Sequence, residues 1–210
     1  LRLLHEYLEN GADKNPNFPF SEFEGNSLSY QEANLLSNQL ANKLIYEGLE
    51  VGDRFAFLAK NCTEMAIMYY AASKVGAVPV PLNYRLADQE WAYIINDSEA
   101  KLIIVKGNEY SDRINQISSE LKNIKKYISI SLDNSIEKFQ DFYDWLSDSS
   151  NEKPTLKIHE NDDVYQMYTS GTTGHPKGAV LLQRNVAANL RQYLNSLTLP
   201  RPSRTLLVAQ

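Results

Sequence analysis

Short apolar segments with strand character alternate with helical patterns along this chain, and this alternation restricts its fold more than any other feature. Residues 54–59 and 101–105 have the composition of buried strands, and helical patterns lie between and after them. Strands separated by helices of this length form βαβ units, whose strands run parallel in one sheet. The sequence therefore predicts an α/β fold with a mainly parallel sheet flanked by helices. Such sheets bind ligands at the carboxyl ends of their strands.

Local signals predict the bounds of the individual elements. A hairpin over 18–28 is expected, with Glu24-Gly25-Asn26 as its turn. Ser29 and Glu32 have the spacing of a capping box, which starts a helix that Gly48 ends. Further helices are predicted over 88–96, 112–121, 136–146 and 185–197, and further strands over 77–82, 126–130, 164–169 and 179–182.

Two more signals concern the segment after the first predicted parallel strand. Asn61 and Glu64 are expected to cap the next helix, which Gly76 ends. Pro79 and Pro81 interrupt the strand that follows. Because proline has no backbone N–H to donate, these two residues predict an edge or strand-end position.

Composition and charge exclude several classes of function. The chain is 43% hydrophobic and 22% charged, with a formal net charge of -5. This acidic balance argues against a nucleic-acid partner. No apolar run is long enough for a transmembrane segment. Cys62 is the single cysteine, so no intrachain disulfide can form; we interpret it as a small buried residue and expect a reducing, cytoplasmic location.

The three histidines, Trp91 and Tyr93 can each be interpreted without a role in ligand binding. His5, His159 and His175 are far apart in sequence, and we interpret them as surface residues. No Cys/His cluster has the spacing of metal ligands, so no residue is assigned to a metal. Trp91 and Tyr93 lie in a helical pattern, which favours packing over substrate contact.

One segment, 168–178, combines residues suited to polyphosphate binding. It reads Tyr-Thr-Ser-Gly-Thr-Thr-Gly-His-Pro-Lys-Gly and follows a predicted strand. Glycines let a ligand approach the backbone, whose consecutive N–H groups can surround an anion. Hydroxyls add donors, and Lys177 supplies a positive charge that suits phosphate. The alternative, a surface turn with a solvated lysine, explains the complete string less well.

The segment differs from the common P-loop, which ends in Gly-Lys-Ser/Thr and opens a helix. Here Pro176 precedes Lys177, Gly178 follows it, and a strand is predicted next. A helix N-terminus under the phosphates is therefore not expected, and a kinase-type phosphate transfer is disfavoured.

The string resembles the phosphate-loop signature of the adenylate-forming superfamily, which includes acyl-CoA synthetases, luciferases and peptide-synthetase adenylation domains. The resemblance extends upstream to residues 54–86 and 91–105. Thr172 is more typical of CoA ligases, since peptide-synthetase domains more often carry serine there, and Asn83-Tyr84 replaces their usual Asp-Pro. The family usually continues with Ser/Thr-His-x-Asn, whereas this chain has 182–185 as Leu-Gln-Arg-Asn; Asn185 is expected to cap the helix one turn later.

The resemblance implies activation of a carboxylic acid, most like a fatty acid, to acyl-AMP and then to acyl-CoA. ATP, Mg2+ and CoA are the implied cofactors and co-substrates, and no magnesium ligand can be named. Lys177 is the implied catalytic residue. The implied nucleotide-binding residues are Thr169, Ser170, Gly171, Thr172, Thr173, Gly174 and Lys177.

The resemblance also predicts the organisation of the protein. Residues 1–210 are expected to be the N-terminal portion of one AMP-binding domain, without its remainder and without the small C-terminal domain. Such a fragment is expected to be inactive by itself. Two alternatives stay open: an acyl-AMP ligase or adenylation domain that loads a carrier protein, and a non-catalytic nucleotide-binding module.

Overall fold

A computed structural model of the chain describes residues 1–131, 136–169 and 174–196, and shows an α/β architecture. Strands β3 (Arg54–Leu58), β4 (Val78–Leu82), β5 (Leu102–Lys106), β6 (Lys126–Ile130) and β7 (Phe139–Asp141) form one sheet in the order β4-β3-β5-β6-β7. All four neighbouring pairs in this sheet are parallel. The predicted fold class is confirmed.

Helices cover both faces of the sheet. On one face lie α1 (Leu4–Lys14), α2 (Tyr30–Tyr46), α3 (Thr63–Val75) and α6 (Phe142–Leu146), and on the other lie α4 (Asp88–Asp97) and α5 (Asn108–Gln116). Alternate residues of a strand point to opposite faces. Accordingly, Phe55 and Phe57 of β3 pack against the first group, whereas Ala56 and Leu58 pack against the second.

Two antiparallel hairpins accompany the parallel sheet. The first pairs β1 (Pro19–Phe23) with β2 (Asn26–Ser29) across Glu24 and Gly25, both at positive φ, as the predicted turn requires. The second pairs β8 (Asp163–Thr169) with β9 (Lys177–Leu182), which leads into α7 (Gln183–Ser196). A single 3-10 turn, Ser118–Glu120, follows α5.

Strand β4 ends the parallel sheet within the described part of the chain, as its prolines predict. The Val78 N–H donates to the Asp53 carbonyl oxygen on the β3 side. Because successive N–H groups of a strand point in opposite directions, the nitrogens of Pro79 and Pro81 face away from β3. The outer edge of β4 therefore offers no donor at these two positions. The β8–β9 hairpin lies beside this edge as a separate sheet.

Several predicted bounds are confirmed, and some are wrong for identifiable reasons. Helix α2 begins with the expected capping box between Ser29 and Glu32. The predicted cap at Asn61 is wrong: Cys62 is the N-cap residue of α3 without a side-chain hydrogen bond, and Glu64 pairs with Lys106 instead. Gly76 ends α3 at positive φ, as predicted.

Two predicted helices also need correction. The helix expected over 112–121 begins at Asn108, directly after Gly107 at positive φ, and ends at Gln116. Only the second part of the helix expected over 136–146 is helical: strand β7 comes first, and α6 starts only after Asp141. The Asp141 carboxylate accepts the N–H groups of Tyr143 and Asp144, which fixes this late start.

None of the helices in the described ranges has both the length and the apolar content needed to cross a bilayer.

A buried polar cluster joins α1, α2 and α3. The ammonium group of Lys74 donates to the side-chain oxygens of Asn34 at 2.6 Å and Asn38 at 2.5 Å. The Glu9 carboxylate lies 3.5 Å from Lys74 and 2.7 Å from the ammonium group of Lys153. Burial lowers the pKa of Lys74 to about 8, although the charge of Glu9 opposes the shift.

This cluster predicts a specific dependence of stability on pH. The ordinary pKa of lysine, 10.5, applies to the unfolded chain, whereas folded Lys74 has a pKa of about 8. Between these values the unfolded state binds the proton that the folded state lacks, so the free energy of unfolding rises with pH. The gain from Lys74 is about 1.4 kcal/mol per pH unit at most.

Urea unfolding at pH 7.5, 8.5 and 9.5 measures this effect. We expect the free energy of unfolding of the native protein to rise relative to that of Lys74→Met, which cannot titrate at this position. Lys153→Met is the matched control, because this exposed lysine contacts the same Glu9. Parallel pH curves for the native protein and Lys74→Met would contradict the prediction.

Candidate phosphate-binding site

The candidate site lies at the end of the β8–β9 hairpin where residues 170–176 connect the two strands; we call this end the hairpin mouth. Thr169 ends β8, Lys177 begins β9, and the two are direct partners in the antiparallel register. Side chains of such partners extend from the same face of a hairpin. Both residues are exposed. The hairpin thus places the hydroxyl and the ammonium group on one face, on either side of the connecting segment.

The structure describes some of the predicted site residues. Gly174 lies between the strands at a φ of 125°, a conformation that residues with a side chain rarely adopt. Ser170, Gly171, Thr172 and Thr173 lie outside the described residues, and their proposed role stays a prediction. As expected, a strand and not a helix follows Lys177.

Next to the mouth, hydrogen bonds join three side chains, those of Tyr168, Asp97 and Gln166. The Tyr168 hydroxyl donates to the Asp97 carboxylate at 2.6 Å and accepts a hydrogen bond from the Gln166 amide at 3.0 Å. Burial, followed by the contact with Asp97, raises the pKa of Tyr168 well above its ordinary range. The phenol therefore stays protonated and can keep donating to the carboxylate at neutral pH.

Gly178 is needed opposite Tyr168 for steric reasons. A β-carbon at this position would lie 2.4 Å from the Gln166 side-chain nitrogen and 2.9 Å from the Tyr168 ring. Both distances are shorter than van der Waals contact allows, so a larger residue would displace Gln166 and Tyr168. The last glycine of the loop signature thus has a packing function in addition to any contact with ligand.

His175, at the variable position of the signature, contacts α4. Its ring stacks on that of Tyr93, with 4.6 Å between the ring centres and 17° between the planes. Tyr93 thus makes packing contacts, as expected, with the core cluster and with the loop residue His175. Trp91 is fully buried, as expected.

The departure from the family pattern at 182–185 falls in a second buried polar cluster. The side-chain oxygen of Gln183 accepts from the Leu4 N–H at 3.0 Å and from the Ser73 hydroxyl at 3.1 Å. His5 contacts the same Ser73 hydroxyl at 3.0 Å through its Nδ1. The interpretation of His5 as a surface residue is wrong, because α1 packs on α3 and α7 there and buries the imidazole.

Gln183 is the first residue of α7, so the helix begins two residues earlier than predicted. Asn185 lies in the first turn, and its side-chain oxygen accepts the Leu182 N–H at 3.0 Å. It therefore caps the helix from within its first turn. Of the unusual residues at 182–185, Gln183 thus joins α7 to α1 and α3.

A cavity of about 290 Å³ lies at the carboxyl ends of β3 and β5, where ligands of parallel sheets bind. Lys60, Lys106 and Phe23 are among its lining residues. Lys106 pairs with Glu64 at 2.9 Å. Nearby Cys62 is buried, as predicted, and burial raises the pKa of its thiol to about 11. A thiol with this pKa is protonated at neutral pH and is a poor nucleophile.

The described ranges contain no group of three or more His, Cys, Asp or Glu side chains that could hold a metal ion.

The parallel sheet and the hairpin that carries the Gly/Ser/Thr/Lys segment are features of one class of protein, the AMP-binding enzymes. The sequence profile of the AMP-binding enzyme family matches residues 8–209, and the chain belongs to this family.

Two proteins that are similar to this chain in sequence are consistent with this family. The chain is 32% identical over 182 residues to the long-chain-fatty-acid–CoA ligase FadD13 of Mycobacterium tuberculosis. The aligned region covers 86% of the chain and 34% of that protein. It is 28% identical to surfactin synthase subunit 2 of Bacillus subtilis, over 87% of the chain and 5% of that protein. The chain thus spans about a third of the length of the ligase.

A solved structure has the same fold. The inhibitor-bound N-terminal domain of FACL13 from Mycobacterium tuberculosis superimposes with a TM-score of 0.82 at 27% sequence identity. The superposition covers 95% of this chain and 49% of that one.

Proposed function

We propose that the full-length protein activates a carboxylic acid with ATP to give acyl-AMP and pyrophosphate, and then transfers the acyl group to the thiol of CoA. The observation that carries this proposal is the segment 169–178, placed at the mouth of a hairpin in a member of the AMP-binding enzyme family. Relatives named as fatty-acid–CoA ligases favour a fatty acid as the substrate.

The first step is a displacement at the α-phosphorus of ATP. A carboxylate oxygen of the acid forms a bond to this phosphorus, and the bond to the oxygen that bridges to the β-phosphorus breaks. Negative charge then grows on the departing pyrophosphate. A protein accelerates such a step mainly by positioning the reactants and by stabilising this charge.

We assign these two tasks to the residues of the loop. Lys177, exposed at the start of β9, supplies the positive charge that neutralises the leaving pyrophosphate. Thr169, its direct partner across the hairpin, supplies a hydroxyl donor on the same face. Ser170, Gly171, Thr172, Thr173 and Gly174 are assigned to the phosphates as further donors and as backbone that a ligand can approach closely.

Magnesium enters this proposal only as a companion of the nucleotide, since Mg2+ usually binds through substrate phosphates and few protein ligands. No step is assigned to it here. We also propose that the chain is the N-terminal portion of one AMP-binding domain and works in the cytoplasm. The extent of its match to the solved N-terminal domain supports the first of these statements.

A carrier-protein thiol is the second candidate acceptor, because a surfactin synthase subunit is among the relatives. The two acceptors share the adenylation step and differ only in the thiol that displaces AMP.

ATP–pyrophosphate exchange by the full-length protein tests the proposal. It should be measured against a panel of fatty, aromatic and amino acids, with and without CoA. Exchange that depends on an added acid is expected, and AMP release that depends on CoA would identify the acceptor. AMP release only with a carrier protein would favour the second candidate. A folded protein without exchange on any acid would contradict adenylation and leave a nucleotide-binding module.

A further inference from the structure

Helix α4 contacts the chain on both sides of the phosphate-binding segment. On the incoming side, Tyr168 donates its hydroxyl hydrogen to the Asp97 carboxylate at 2.6 Å. On the outgoing side, His175 stacks on Tyr93 with 4.6 Å between the ring centres. These two α4 residues are four positions apart, so they lie on the same face of the helix. They also face each other, with 3.5 Å between the Tyr93 hydroxyl and the Asp97 carboxylate.

The helix that carries these residues is firmly attached to the sheet. Trp91, Ala92, Ile94 and Ile95 are buried against β3, β4 and β5. The Trp91 indole N–H also donates to the Asn83 carbonyl oxygen at 2.8 Å. Close packing of this kind leaves a helix little freedom to move. The outward face with Tyr93 and Asp97 is therefore a fixed surface against which a loop can be held.

Within the described residues, no backbone hydrogen bond joins the hairpin to β4. Its strands pair with each other and form a separate sheet beside β4, whose outer edge carries Pro79 and Pro81. Side-chain contacts of the described residues therefore contribute to the position of the hairpin mouth. On its α4 side these contacts are the Tyr168–Asp97 hydrogen bond and the His175–Tyr93 stack.

We propose that Tyr93 and Asp97 form an α4 clamp that positions the phosphate-binding loop, with His175 as the residue through which Tyr93 acts. The clamp residues are positioning residues and not catalytic ones. This inference rests on the proposed function for its effect on ATP, but its structural part does not depend on catalysis. It assigns a role to the variable position of the loop signature, where a planar ring is required for stacking.

The structural part is tested by hydrogen exchange of the full-length protein without ligands. Tyr93→Ala removes the ring beneath His175 and is expected to raise amide exchange in peptides that span 174–178. Tyr93→Phe keeps the ring and should exchange like the native protein. Tyr46→Ala is the matched control, because this tyrosine is 78% exposed and lies on α2. Unchanged exchange at 174–178 in Tyr93→Ala would overturn the clamp.

The functional part is tested by the kinetics of exchange with ATP. A stacked aromatic pair contributes enough that its loss should raise the KM for ATP about two- to tenfold. The KM for the acid should stay unchanged, which general loosening of the protein would not allow. His175→Ala should have the same effect, and the double variant Tyr93→Ala/His175→Ala should be no worse than either single variant.

The possible failures are distinguishable. If the native protein shows no exchange with any acid, the proposed function fails, and hydrogen exchange still decides the clamp. If the native protein is active and Tyr93→Ala has a native KM for ATP, the clamp is wrong and the proposed function stands. Additive effects of Tyr93→Ala and His175→Ala would also overturn the clamp, because they would mean that the two residues act separately.

Discussion

Replacing Lys177 with alanine in the full-length protein is expected to lower acid-dependent ATP–pyrophosphate exchange by about two to three orders of magnitude. The ammonium group extends from the mouth of the hairpin, opposite Thr169, where no other lysine of the segment 168–178 can replace it. Its charge matters most when pyrophosphate departs, because negative charge is then greatest. The loss should therefore be larger in kcat than in the KM for ATP.

Two controls make this result specific. Lys157→Ala removes an exposed lysine that precedes β8, and it should leave exchange unchanged. Lys177→Arg keeps the charge but changes its shape, and it should recover only part of the rate. Native exchange by Lys177→Ala would show that the charge does not act on the leaving group. The unfolding transitions of all three variants should match that of the native protein, since both lysines are exposed.

Replacing Trp91 with alanine is expected to lower the free energy of unfolding by about 3–5 kcal/mol. The Trp91 ring is fully buried between α4 and the sheet, and the Arg113 guanidinium lies 4.0 Å from its centre. The substitution removes this packing and one of two hydrogen bonds to the Asn83 carbonyl oxygen, which keeps the Leu86 N–H as a donor. Urea unfolding measures the change.

Trp91→Phe separates the contributions to this effect. It keeps much of the apolar volume but loses the indole hydrogen bond to Asn83, whose oxygen still accepts from the Leu86 N–H, so its cost should be about 0.5–1.5 kcal/mol. Tyr46→Ala, on an exposed tyrosine, should change the free energy of unfolding by less than about 0.5 kcal/mol. A cost for Trp91→Ala as small as that of Tyr46→Ala would mean that α4 is not anchored by this ring.

Much of the fold could be predicted because its signals are local. The extended pattern at 126–130 and the capping box at Ser29 each specify an element through neighbouring residues, and both elements occur as predicted. The predicted bounds of α5 and α6 are wrong because a single residue sets the start of each helix. Gly107 and Asp141 are starting signals of the usual kinds, a residue at positive φ and an N-cap carboxylate.

The site could be predicted less completely, because its supporting contacts join distant parts of the chain. The loop itself is a contiguous motif and is visible in the sequence. The partners of Tyr168 and His175, in contrast, lie on a helix more than seventy residues earlier. Only the folded chain brings Asp97 and Tyr93 to the loop. The burial of His5 has the same origin, since it depends on Ser73 and Gln183.

The two prolines of β4 have a consequence for how this loop can change over time. If β8 were hydrogen-bonded to β4 as a sixth strand of the sheet, a ladder of backbone hydrogen bonds would fix its register. The position of the hairpin could then change only by a shift of whole residues. Because β4 lacks outward donors at Pro79 and Pro81, the described contacts of the hairpin with α4 are made by side chains, which single substitutions can lengthen, shorten or exchange. Single substitutions on the hairpin or on α4 can thus change the position of the loop by small distances during evolution, while the sheet keeps its structure.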